Sequence, residues 1–439
     1  MPVLGLLLVF LASGSVFAET QGEVSLRQDS FVSPQYSSTN SKSFGFLGGH
    51  LKQSTETTGL VGDITGEFVP QNPMMSYLNV QELYHRESFF SVGRKLYAWN
   101  RLDEDFNLGV FQPQFRWNPL DPSSQGLTGI YMDLQNQIGE MPWGMMLFAS
   151  FTFIPDQGSS YQLRDGQFEP ANPWFRTPPQ RAQFDDQGKI VDQINYDLQK
   201  PSVNEVVYNT SFVGALYLGE DQKGFKIQAV SAYKPSNQLA LGTDGVLTPN
   251  NSVDVKIVPK IYYHSLVGGD LQYSFSNFQI GLSGLSEHPH KPEFDQTLTY
   301  NNYNDSRLGS VFVAARAGRF QTHLSRLTVQ GGEAQVQGPK AKELASVLPQ
   351  RFPYRSANKI SAVYEYKWKK YEGLKGQATY MQGDQNEFEL VKLSLGWQID
   401  PKWSAQAQGL LVRASNTVKT VFSDYEDNDQ VQMGVSYVF

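Results

Sequence analysis

The segment RLDEDFNLGVFQPQFRWNPLDPSSQ sets Arg101 and Arg116 close to Asp103, Glu104, Asp105 and Asp121. Trp99 stands just before it, and Phe106, Phe111, Phe115 and Trp117 are interleaved. Facing one another across a narrow wet passage, such charges would set a transverse field, and the rings would offer stacking faces to sugar rings. The competing reading is a loop that packs on itself through its aromatics. Either way the segment is too aromatic for disorder, and loops this long usually do something. A second long segment, 155–203, carries Arg164, Arg176, Arg181, Asp165, Asp185, Asp186 and the run NPWFRTPP. It is expected to lid or enter such a passage, or to lie at its mouth as a surface loop.

Other chemistry finds less support. A hydrolase needs a nucleophile with a base, or a carboxylate pair with a histidine. None of His50, His85, His264, His288, His290 and His323 sits in a recognisable catalytic pattern. HPHKPEFD brings His288, His290, Glu293 and Asp295 together, but its simpler reading is a solvated loop. SDYEDNDQ has the oxygen density of a calcium site without the twelve-residue pattern and its glycine. With no cysteine there is neither a disulfide nor thiolate chemistry. The expectation is no catalytic residue, no metal, no cofactor and no enzyme activity. A net charge of −7 argues against a nucleic-acid partner.

The elements that would position these residues are strands. In NKISAVYEYKWKK, Ile360, Ala362, Tyr364, Tyr366 and Trp368 oppose Lys359, Ser361, Val363, Glu365 and Lys367. In GLTGIYMDL, Ile130, Met132 and Leu134 oppose Gly129, Tyr131 and Asp133, and WSAQAQGLLV repeats the pattern. A face charged at every second position cannot lie in a dry core, so it is wet while its opposite is not. WGMMLFASFTF is apolar on both faces and fits less cleanly. Aromatics make up 13% of a chain that is otherwise polar on average, which suits a closed barrel, greasy outside and hydrated inside.

Strands are expected at 23–31, 43–54, 58–69, 76–85, 88–96, 126–138, 143–154, 204–218, 224–235, 254–275, 277–288, 308–317, 320–330, 357–369, 373–383, 387–398, 403–415 and 430–439. Connections after even-numbered strands are short, and most after odd-numbered ones are long: 97–125, 155–203, 236–253, 289–307, 331–356 and 416–429. Short turns on one rim with long loops on the other fit an all-β, antiparallel, up-and-down transmembrane barrel of about eighteen strands, sixteen being the alternative. The count requires 254–275 to be one strand interrupted at Gly268-Gly269.

The chain opens with MPVLGLLLVFLASGSVFA, an apolar run too short to span a bilayer, then small residues. It reads as a secretory signal peptide, residues 1–18, leaving a single barrel domain at 19–439. The chain closes with QVQMGVSYVF, where Val431, Met433, Val435, Tyr437 and Phe439 share a greasy face. Val435, Tyr437 and terminal Phe439 resemble the C-terminal assembly signal of bacterial outer-membrane proteins, which implies recognition by the barrel-assembly machinery. The overall pattern is similar to that of substrate-specific porins and alginate-export-type channels of Gram-negative bacteria. FFSVGRKLYAW, a long loop and GLTGIYMDL resemble the Gly-Arg strand, loop and following strand of those channels.

That resemblance implies an outer-membrane channel for small hydrophilic solutes, with a long loop folded inward. Arg101, Asp103, Glu104, Asp105, Arg116, Trp99 and Trp117 are the expected constriction residues. By parity Lys226, Glu365, Lys367, Lys375 and Lys392 should face the lumen, making it more basic than the chain and tolerant of anions. The expected partners are outer-membrane lipid, lipopolysaccharide and small solutes, with a homotrimer among the expected assemblies. Alternatives are a surface scaffold that binds an extracellular partner, or an export channel for a polymer or hydrophobic compound.

Overall fold

In a hydrocarbon phase every backbone N–H and C=O needs a protein partner, and an alternating chain can supply one only by closing on itself. The computed structural model does this with one ring. It describes residues 19–32, 43–54, 59–169, 172–184, 189–191, 193–340, 351–384, 387–415 and 420–439. The expected signal peptide lies outside the described residues. The ring comprises β1 (Glu19–Phe31), β2 (Ser43–Ser54), β3 (Gly59–Phe68), β4 (Tyr77–Glu87), β5 (Phe90–Lys95) and β6 (Leu127–Ile138). It continues through β7 (Met141–Ser150), β8 (Ser211–Gly219), β9 (Gly224–Pro235), β10 (Tyr263–Phe275), β11 (Phe278–Pro289) and β12 (Ser306–Ala317). It ends with β13 (Phe320–Gly331), β14 (Ser356–Lys369), β15 (Glu372–Gly383), β16 (Phe388–Gln398), β17 (Trp403–Ala414) and β18 (Gln430–Val438). Each strand pairs antiparallel with the next, as in β1–β2 and β17–β18, and β18 returns to β1 from Gln430 opposite Phe31 to Val438 opposite Glu23. The chain is a closed eighteen-stranded transmembrane barrel.

The seam is completed by Phe439, whose N–H donates to Gly22 O at 2.9 Å. A Cβ at Gly22 would lie 2.6 Å from the Phe439 ring, so the seam requires a glycine there. Outward side chains form an apolar belt. Ile360, Tyr364 and Trp368 on β14 are 47%, 43% and 43% exposed, and Leu216, Ile280, Leu393, Met433 and Val435 behave alike around the ring. Lys359 and Ser361, of the opposite parity, line an internal cavity. The belt is dry only against lipid.

The turn rim is tight. Residues 88–89, 139–140, 276–277 and 318–319 close two-residue hairpins whose first residues, Ser88, Gly139, Ser276 and Gly318, have positive φ, as primed turns require. The other rim carries 69–76, 96–126, 151–210, 236–262, 290–305, 332–355 and 415–429. Over it stands a five-stranded sheet of Gln193–Leu198, Ser252–Lys260, Ala240–Leu247, Thr299–Tyr303 and Ala334–Gln337.

Two expectations need correction. The stretch 254–275 is not one interrupted strand. Its first part belongs to Ser252–Lys260 in the outer sheet, the break falls at 261–262, and Gly268-Gly269 lies inside β10 opposite Ala229 and Val230 of β9. The count of eighteen survives because the lost piece never crossed the barrel. Residues 204–210 are not strand: a Ser202 capping box starts the short helix Val203–Val207, and β8 begins only at Ser211.

Candidate functional site

The loop between β5 and β6 does not stay on the rim. Tyr97 and Trp99 pack beneath it, with the Trp99 ring 4.6 Å from Tyr97 and 6.4 Å from both Tyr131 and Phe148 (centroid distances). Gln228 Nε2 of β9 donates to Ala98 O at 3.0 Å and to Trp99 O at 2.8 Å. The chain then turns into helix α1 (Arg101–Phe106). Asn100 caps it, and Asp270 of β10 accepts from Asn100 Nδ2 at 2.9 Å and from Arg101 N at 3.1 Å. Leu102 N donates to Ser283 Oγ of β11 at 3.2 Å. Of the first-turn N–H groups, orphaned in any helix, those of Arg101 and Leu102 are therefore satisfied by the barrel wall and that of Asp103 by the Asn100 side chain.

The far end of α1 follows the same wall round to β13 and β14. Asp105 pairs with Arg101 at 3.0 Å and with His323 of β13 at 3.2 Å. The Arg101 guanidinium lies 4.9 Å from the centre of the Phe312 ring of β12. Lys359 of β14 donates to Asp105 O, and Tyr354 OH donates to Phe106 O at 2.7 Å. β5 and β14 are nine places apart on an eighteen-strand ring, so the loop carries α1 to the far side of the lumen, where the helix lies along the inner wall from β10 to β14. Asn107, in the left-handed region at φ 48°, ends the helix and turns the loop back. Asp103 fixes the return by accepting from Val110 N and Phe111 N, each at 2.9 Å. On the returning leg, Arg116 pairs with Asp156 at 2.8 Å, and Lys392 of β16 pairs with Asp121.

A cavity of about 810 Å³ remains beside α1. Phe106, Tyr354, Leu390 and Phe422 give it an apolar wall; Arg116, Lys359, Lys392, Asp121 and Asp424 bring charge. Glu104 is exposed on α1, yet protein crowds around it. That enclosure, with Asp103 and Asp105 adding repulsion that Arg101 only partly offsets, pushes its carboxyl up to about 7. Asp105 goes the other way: burial raises it, but His323 and Arg101 together hold it below the ordinary carboxylate range.

The seven expected constriction residues thus separate. Arg101, Glu104 and Asp105 lie on the inserted helix, and Arg116 lines the cavity. Trp99 and Trp117 are buried, Trp117 against Phe46 and Tyr77, so protein already covers their ring faces and the expected sugar-stacking role does not fit them. Asp103 is buried as a loop staple and presents no charge to a passage. Lys392 lines the cavity. Lys226 shares the inward parity of Gln228 and pairs with Asp221 at 2.7 Å; Glu365 pairs with Lys367 at 3.0 Å and stands opposite Lys375. These four sit towards the turn rim, away from α1. Tyr437 rests on Trp403 at 5.0 Å, and Val435 and Phe439 are exposed on the outer face.

The segment 151–210 crosses the mouth instead. Asn172 Nδ2 reaches Met74 O, Trp174 packs on Phe31 at 5.5 Å, and Asn428 Nδ2 donates to Pro173 O at 2.8 Å. Its residues Asp185 and Asp186 lie outside the described residues. In the HPHKPEFD segment, His288 contacts Asp305 at 2.6 Å and His290 contacts Ser265 at 3.2 Å. Sequence reading missed the wall residues Asp270, Ser283, Lys234, His264 and Glu287 and the loop residues Arg351 and Tyr354. Glu287 bridges His264 at 2.6 Å and Arg351 at 3.2 Å, all buried, and rivets residues 351–354 over α1. Inward parity, applied to β9, β10 and β11, was the signal for Lys234, Asp270 and Glu287.

No family model matches the chain, and no curated protein matches it. Among solved structures it is similar to OccK10 (OpdN) of Pseudomonas aeruginosa at 10% identity and TM-score 0.46, covering 96% of this chain and 99% of that one. The outer membrane protein opdK of the same organism matches at 12% and 0.46, covering 96% and 99%. OccAB2 of Acinetobacter baumannii matches at 12% and 0.45, covering 96% and 98%. The barrel assignment rests on the hydrogen-bonded ring itself.

Proposed function

We propose that the chain is an outer-membrane porin of a Gram-negative bacterium, passing small hydrophilic solutes through a lumen narrowed by α1. The observation that carries this reading is the anchoring of one long loop to the opposite inner wall of a wide barrel, beside a cavity lined by charged residues. Eighteen strands enclose more space than inward side chains can fill, so a loop must set the width. The short turns then face the periplasm and the long loops the exterior. Outer-leaflet lipopolysaccharide and the barrel-assembly machinery are the partners this placement calls for; three copies would assemble through the apolar belt. The anion tolerance proposed for the lumen rests on Lys359 and Lys375, since Lys226, Lys392 and Lys367 are paired with Asp221, Asp121 and Glu365.

The test is planar-bilayer recording joined to liposome swelling. Discrete conductance steps, anion preference and swelling in small sugars are expected. A scaffold for an extracellular partner would give neither steps nor swelling, and strong cation selectivity would remove the anion reading.

A further inference from the structure

The short helix Val203–Val207, α2, has an apolar stripe at Val203, Val206 and Val207, the i, i+3, i+4 spacing that normally faces a core. None of its residues is buried. Val203 is 73% exposed and Tyr208, just after it, 71%. Phe153 N donates to Val207 O at 2.7 Å, which seats the helix directly over the outer ends of β7 and β8. There Phe151 and Phe212 are also exposed. Tyr263 OH donates to Asn209 Oδ1 at 3.2 Å, and the Tyr263 ring stacks on Tyr233 at 5.2 Å, extending the collar over β9 and β10. Asn204 and Glu205 point the polar side of α2 away from the stripe, and Lys200 and Lys260 stand exposed nearby.

We infer that α2 and Tyr208 form a membrane-surface anchor, seated at the boundary between acyl chains and headgroups of the outer leaflet. An unburied apolar stripe is costly in water, and this one sits at the outer ends of β7 and β8, the same end of the barrel as exposed Phe151 and Phe212. Tyrosines and lysines at its upper edge match the composition of an interfacial segment. The anchor would hold the β7–β10 side deeper in lipid than the rest of the barrel. The inference rests on the membrane-spanning reading of the barrel.

The absence of cysteine allows clean labelling. Single variants Val203→Cys, Tyr208→Cys, Leu216→Cys and Leu247→Cys, each carrying an environment-sensitive fluorophore, are reconstituted in vesicles containing lipids spin-labelled near the headgroup. Leu216 lies in the belt and Leu247 at the tip of the outer sheet. Labels at 203 and 208 should be blue-shifted and quenched severalfold more than the label at 247. Water-like emission at 203 and 208 with quenching intact at 216 overturns the anchor while leaving the barrel embedded. Loss of quenching at 216 as well would overturn the membrane reading beneath it. Protection at 203 that vanishes on dilution to single copies would make the stripe a subunit contact and overturn the inference.

Discussion

The two longest loops of the barrel meet opposite fates. Residues 96–126 plunge into the lumen; residues 151–210, equally aromatic and charged, lie across its mouth. The difference is in what the barrel offers their backbones. The first loop meets Gln228, Asp270 and Ser283, inward polar groups that accept from or donate to its main chain. The second finds partners mainly in other loops, at Met74 and Asn428, and in the aromatic face of Phe31 at the outer end of β1. A loop can leave bulk water only where its main-chain groups are satisfied elsewhere. Insertion is therefore a property of the wall as much as of the loop.

The strongest way to break the contrast is to remove the rivet over α1. Arg351→Met leaves Glu287 buried with only His264 for an ionic partner. Breaking such a pair typically costs ~3–5 kcal/mol. Hydrogen exchange should rise sharply at 351–355 and in α1, with noisier open-channel current. Asp270→Ala deprives Asn100 Nδ2 and Arg101 N of their acceptor, for which ~1–3 kcal/mol is usual. Exchange at 100–106 should increase and mean conductance should grow, while 151–210 stays as protected as before. Tyr354→Phe removes one hydrogen bond to Phe106 O, about 1 kcal/mol, and should shift only the lifetime of current fluctuations.

Glu104 sharpens the comparison by pH. Its carboxyl is raised when the loop is docked, so the docked loop favours the protonated form. That contribution is complete below the ordinary glutamate range and is lost as pH climbs through about 7. Rising pH should then loosen α1 and lower anion preference, and Glu104→Gln should flatten both profiles. The smallest effect belongs to the mouth. Arg164 and Glu169 are solvent-exposed at 3.5 Å, so Arg164→Ala should cost ~0–1 kcal/mol and leave conductance unchanged.

Much of the barrel was legible because period-two alternation has one cause, a wet face backing a greasy one. Tyr364 and Trp368 against Glu365 and Lys367 reveal it directly. Pairing within the outer sheet imposes the same alternation, which is why Ser252–Lys260 read as part of a barrel strand. WGMMLFASFTF looked anomalous because its inward Met146 and Phe148 face protein instead of water; Phe148 meets Trp99 of the inserted loop. A strand apolar on both faces was thus a trace of insertion that periodicity alone could not decode. The charged cluster at 101–105 was visible as a site, but its partners were not. Asp270 lies about 170 residues from Arg101, a juxtaposition that only barrel closure creates.

The central claim, that α1 sets the width of the passage, is tested most directly by replacing residues 100–121 with a short Gly-Ser linker and recording single-channel conductance. The account predicts a folded barrel whose conductance rises severalfold. A folded barrel with unchanged conductance would contradict it.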